Sequence, residues 1–122
     1  MKSVRFTSFN KAFDSLPKDI QELATAQFLN WKKDPQSVML KPLASTNNEI
    51  FSCPVNYRYR ALALKTKDES HNPTYVWFWI GSHEDYNKLV ARRTHLIDNI
   101  QSIRKKYNSN NNKVKTHAIS NV

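Results

Sequence analysis

Apolar residues recur at helical spacing near the start of the chain, give way to β-branched and aromatic runs in the middle, and return to helical spacing towards the end. Residues 4–7 read as a short first strand. Phe9, Ala12, Phe13 and Leu16 then fall three or four apart, as on a helix. Pro17 ends that helix and opens the next, because proline is tolerated in a first turn. Over residues 18–33, Ile20, Leu23, Ala24, Phe28 and Trp31 are predicted to share one face. Asp19 and Glu22 lie near its start and Lys32 and Lys33 at its end, which complements the helix dipole. Asp34-Pro35 stops it. Two antiparallel helices meeting at Pro17 follow.

Residues 36–48 read as loop, closing on the polar turn Ser45-Thr46-Asn47-Asn48. Strand-like runs occupy residues 50–55, 58–65 and 75–80. Pro54 marks the first as an edge or bulge. The third is wholly aromatic or β-branched. Residues 66–73 form a solvated hairpin loop between the last two runs. Gly81, the only glycine, ends the third. A helix is predicted from about His83 to Tyr107. Its stripe at positions 89, 96, 100, 103 and 107 is interrupted by Arg93. That stripe either packs on the domain or meets another chain. From residue 108 the sequence is polar and low in complexity, the composition of a disordered tail. The order β-α-α-β-β-β-α gives an α+β fold: an N-terminal helical hairpin packed on one face of a small antiparallel sheet, followed by a C-terminal helix.

The length of 122 residues fits one domain. A single cysteine, Cys53, excludes an internal disulfide and suits a reducing compartment. No apolar run is long enough for a membrane span, and the N-terminus lacks a signal-peptide apolar stretch. The cytoplasm is the expected location, with no membrane partner. The net charge of +9 predicts affinity for RNA, DNA or an acidic partner. Residues 92–122 hold most of it, with 7 basic residues against 1 acidic.

One glycine leaves no phosphate-binding loop, and no serine sits in a nucleophile elbow. The four histidines lack metal-ligand spacing, so neither a metal nor a small-molecule cofactor is expected. A basic and aromatic cluster remains. Arg58 and Arg60 are two apart, so a strand would place them on one face. Arg60, at the rim, suits either bidentate phosphate binding or a structural ion pair. Tyr75, Trp77 and Trp79 share one face of the third run, and Val76, Phe78 and Ile80 the other. The first set either offers a base-stacking surface or forms core. His83 follows the same strand, and histidine is the side chain whose charge changes near neutral pH. It is either a helix-start residue without chemistry or a general acid or base. RNA carries its own nucleophile, the 2′-hydroxyl. An imidazole to move a proton and a guanidinium to hold charge are enough for its cleavage.

The pieces Asn56-Tyr57-Arg58-Tyr59-Arg60-Ala61-Leu62 and Val76-Trp77-Phe78-Trp79-Ile80-Gly81-Ser82-His83-Glu84-Asp85-Tyr86 resemble the RelE/ParE superfamily of toxins, in the branch with a YRAL strand and a WIGSHxDY motif. The resemblance covers about residues 5–91. It implies a toxin domain over 1–91; the apolar spacing and the composition, not the resemblance, add a basic helical extension over 92–107 and a disordered polar tail over 108–122. The resemblance further implies a type II toxin neutralised by a cognate antitoxin. RelE-like members cut mRNA on the ribosome without a metal; ParE-like members inhibit DNA gyrase. By position, Arg60 resembles the arginine that contacts the scissile phosphate, and His83 resembles the post-strand catalytic residue. Arg58, Trp77, Trp79 and Tyr86 are the accompanying RNA-binding candidates, with Lys41 added as a further phosphate contact by composition. Where RelE-like members carry paired lysines, this chain has Phe51 and Cys53. Where some relatives carry an arginine, it has Trp79. An inactive member that only binds nucleic acid or antitoxin stays open beside the two toxic modes.

Overall fold

The structure, a computed structural model, describes residues 2–38, 40–43, 46 and 49–113. Its elements run β1 (Lys2–Arg5), α1 (Thr7–Asp14), α2 (Lys18–Lys33), a 3-10 turn (Pro35–Ser37), β2 (Lys41–Pro42), β3 (Ile50–Pro54), β4 (Tyr59–Lys67), β5 (Pro73–Ser82), α3 (His83–Ala91) and α4 (Arg93–Lys113). The α+β class and the N-terminal helical hairpin are as the pattern predicts. Gln21 ties the hairpin together: its amide donates to the Phe13 and Leu16 carbonyls, each at 3.1 Å, at the junction between α1 and α2.

The sheet order is β1-β5-β4-β3-β2. The β2-β3, β3-β4 and β4-β5 pairs are antiparallel, but β1 lies parallel to β5, so the expected all-antiparallel sheet is mixed at one edge. The connection through α1 and α2 carries the chain across the sheet, which permits the parallel pairing. In the β4-β5 loop, the Asp68 carboxylate accepts the Ser70 and Asn72 N–H groups at 2.9 and 2.8 Å.

Two cores lie on opposite faces of the sheet. Under the hairpin, Phe9, Ala24 and Trp31 pack on Cys53, Ala61, Ala63, Trp77 and Ile80. On the other face, Ile100, Ile103 and Tyr107 of α4 cover Ile50, Leu62, Leu64, Val76 and Phe78. Helices therefore cover both faces, not one. The late apolar stripe packs on its own domain; Leu96, at its start, is also buried. The single late helix of the sequence reading is broken at Arg92, whose φ of −95° and ψ of 68° leave the helical region. Residues 108–113 continue α4, and the rest of the predicted tail lies outside the described residues. On α2, Leu23 is 46% exposed; Ile20, Ala24 and Trp31 carry the buried stripe instead.

A bulge decides what each face of β5 presents. Leu62 pairs with Trp79 and Ala63 with Trp77, which leaves Phe78 as the extra residue. Ser8 Oγ donates to the carbonyl of Phe78 at 2.9 Å. Alternation resets at this point. Tyr75, Trp77 and Ile80 face the hairpin, whereas Val76, Phe78 and Trp79 face α4. The continuous Tyr75-Trp77-Trp79 stripe does not form. No helix among the described residues is long and apolar enough to cross a membrane.

Candidate functional site

The site forms where β4 begins and β5 hands over to α3. Asn56 organises the turn before β4: its side-chain oxygen accepts the Arg58 and Tyr59 N–H groups at 2.8 and 2.9 Å. This is the self-capping turn that asparagine favours. Arg60 then stands in register with Pro54 on β3 and Gly81 on β5. Ser82 caps α3 by accepting the Asp85 N–H at 3.1 Å. His83 is thereby the first residue of α3, with its N–H donated to the Arg58 carbonyl at 2.6 Å.

Tyr86 joins the pieces. Its ring stacks on the His83 imidazole with centroids 5.7 Å apart and planes 13° apart. The Arg60 guanidinium lies 5.4 Å from the same ring's centroid. Trp79 tilts against Tyr86 at 6.4 Å. Arg60 Nη1 also donates to Ser52 Oγ at 2.9 Å. Lys41 is exposed and in register with Ser52, so cross-strand geometry directs its side chain to the face of Ser52 and Arg60. Arg60, His83, Tyr86, Trp79 and Lys41 thus belong to one end of the sheet's α4 side.

Arg58 stands apart from Arg60. It sits in the turn before β4, not on the strand, and its guanidinium lies 5.3 Å from the Tyr57 ring. With Tyr57, Ser82, His83, Glu84 and Asn87 it lines a hollow of about 360 Å³. His83 borders both this hollow and the Arg60–Tyr86 cluster. Ion pairs join Lys2 to Asp68 and Arg104 to Glu49, and among the described residues none joins Arg58 or Arg60 to a carboxylate. Among the described residues no structural ion pair forms at Arg60; a hydroxyl and an aromatic face hold it. That arrangement keeps a guanidinium aimed while leaving its charge available to an anion.

Trp77 is corrected as a surface residue. It is 4% exposed, and its indole N–H donates to Ser3 Oγ at 2.9 Å. An aromatic so placed is core and offers no face to a base. Phe51 and Cys53 point to the hairpin side of β3, away from Ser52 and Arg60. Burial pushes the Cys53 thiol up to about 11, with Arg60 pulling weakly the other way. Three residues that the sequence reading did not count among the site candidates matter here. Ser52 receives Arg60, Asn56 sets the turn, and Gly81 supplies a bare surface under the Trp79 ring. Asn56 had a legible signal as a turn former; Ser52 and Gly81 acquire their roles only through register.

The helical hairpin packed on a small sheet is a fold shared with two solved structures. A YoeB/ParE toxin from Agrobacterium tumefaciens superposes with a TM-score of 0.52 at 16% identity, over 68% of this chain and 99% of that one. The toxin–antitoxin complex RelBE2 from Mycobacterium tuberculosis gives 0.50 at 24% identity, over 67% of this chain and 96% of that one. No curated protein matches the sequence significantly. The ParE-like toxin domain model matches residues 18–88, more than half of the chain. The chain belongs to that family, within the RelE/ParE superfamily. The match ends before α4, whose buried stripe nonetheless completes one of the two cores.

Proposed function

We propose that this chain is the cytoplasmic toxin of a type II toxin–antitoxin system, and that it cleaves mRNA on the ribosome without a metal. The observation that carries this reading is the meeting of Arg60 and His83 on the Tyr86 ring. In the reaction, the RNA 2′-hydroxyl gives up its proton and attacks the adjacent phosphorus. The 5′-oxygen of the next nucleotide leaves with a proton, giving a 2′,3′-cyclic phosphate and a 5′-hydroxyl. His83 carries out one of the proton transfers. Arg60 stabilises the charge that builds on the phosphoryl oxygens. Lys41 and Arg58 neutralise flanking phosphates. Trp79 and Tyr86 support the cluster and offer aromatic surface to an unstacked base.

Expression of the wild type, Arg60→Ala and His83→Ala in translating cells, with mRNA 5′ ends mapped, tests this reading. Each substitution is expected to lower cleavage by about 10²–10⁴-fold. Unchanged cleavage in His83→Ala removes the histidine from the mechanism. Absence of cleavage by the wild type removes the nuclease reading.

The lack of a lysine pair, with Phe51 and Cys53 turned towards the hairpin, favours a second reading: a binding module that inhibits DNA gyrase. It predicts gyrase-linked DNA breaks with mRNA intact. A chain that is harmless on expression would be a member that only binds antitoxin or nucleic acid. A small protein encoded beside this one would be the expected antitoxin, and its rescue of growth would test that partnership.

A further inference from the structure

The sheet face opposite the Arg60–His83 cluster holds a second site. Between the helical hairpin and the sheet lies a cavity of about 370 Å³, within the size range of small-molecule pockets. Its walls are apolar and largely aromatic: Phe9 and Phe13 from α1, Phe28 and Trp31 from α2, Trp77 and Ile80 from β5. Among the described residues the charged group lining this cavity is Arg5, at the end of β1, and no carboxylate lines it. The guanidinium lies 5.8 and 5.7 Å from the Phe9 and Phe13 ring centroids. Its Nε is buried without a hydrogen-bond partner. A buried donor on a cation is costly to leave unpaired, and an anion at that point would satisfy it.

The other polar groups at the cavity are already engaged. Thr25 Oγ1 donates to the Gln21 carbonyl at 2.9 Å, and Gln27 Nε2 donates to the Pro54 carbonyl at 3.0 Å. Cys53 lines the wall as a neutral thiol, because burial raises its pKa. A peptide backbone would bring several amide groups into the cavity with little to pair them. A ligand with one anionic head and an apolar body leaves no such debt. We propose that this cavity binds a small amphiphilic carboxylate, a medium-chain alkyl or aryl-alkyl acid, with the carboxylate on Arg5 and the body between the hairpin aromatics and Trp77.

Trp31 and Trp77 both line the cavity, so their fluorescence reports occupancy directly. The full chain is titrated with octanoate and with its neutral counterpart, octanol. Octanoate is expected to bind roughly tenfold more tightly, the worth of one charge-assisted hydrogen bond in a buried setting. Arg5→Gln should bring the two affinities together by weakening octanoate. Ala24→Trp, which fills the cavity from α2, should remove both. If that variant fails to fold, Arg5→Gln alone decides the matter. Equal affinities in the wild type, or an Arg5→Gln variant that still prefers octanoate, would overturn the assignment. Tighter binding of N-acetyl-leucyl-glutamate than of octanoate would assign the cavity to peptide docking and overturn the small-ligand reading. None of these outcomes depends on mRNA cleavage, which is read at the other face.

Discussion

Substituting Gly81 by alanine would disturb the site without altering any proposed reacting group. A methyl group at Gly81 would lie 2.7 Å from Trp79 Cζ2 and 3.0 Å from Cη2. Carbon atoms settle at about 3.5–4.0 Å, so the indole must move by roughly 0.8–1.3 Å. Trp79 is held by the core beneath it and by Tyr86 beside it. Such overpacking costs about 1–3 kcal/mol. For a domain of this size that lowers Tm by on the order of 4–10 °C. Because Tyr86 contacts both Arg60 and His83, the proposed RNA cleavage should fall as well, measured at a temperature where the variant is folded. Trp79→Phe removes the two ring carbons that the methyl would strike. The double variant should therefore be more stable than the sum of the single effects, by about 1 kcal/mol or more in thermal or urea unfolding. If Gly81→Ala leaves Tm unchanged, or the two substitutions are additive, the indole is not the obstacle and the packing argument fails.

Three further outcomes follow from the cores. Burial raises the Cys53 pKa from 9.0 to about 11, so the folded state holds that proton more tightly than the unfolded state. Its stabilising contribution is complete below pH 9 and is lost as pH rises through 11. The total is on the order of 2–3 kcal/mol, and Cys53→Ala should flatten the fall in urea-unfolding free energy across that window. Ile100→Ala in α4 should cost about 2–4 kcal/mol, and a chain ending at Ala91 should aggregate, because Leu62, Leu64, Val76 and Phe78 would lose their cover; a soluble, cooperatively melting truncation would refute that role for α4. Ser3→Ala should cost about 1–3 kcal/mol in thermal unfolding, since the buried Trp77 N–H would lose its acceptor, and Trp77→Phe in the same background should recover part of the loss.

What the sequence determined by itself was local. The bounds of α2 follow from a 3.6-residue apolar period and from prolines at either end, signals that act within a few residues. The strand runs, the hairpin and the α+β class follow in the same way. Arg60 and His83 were legible as candidates because chemistry restricts which side chains carry charge and protons. Tertiary structure decided everything that needed two segments to meet. The bulge at Phe78 depends on how β4 pairs with β5, and it turns Trp79 away from the side that Trp77 takes. The parallel β1, the break at Arg92 and the burial of α4 likewise depend on contacts far apart in the chain. Register also placed Ser52 beneath Arg60 and left Gly81 bare for the indole. A periodic pattern states which side chains avoid water, but one extra residue in a strand reverses the face on which they do so.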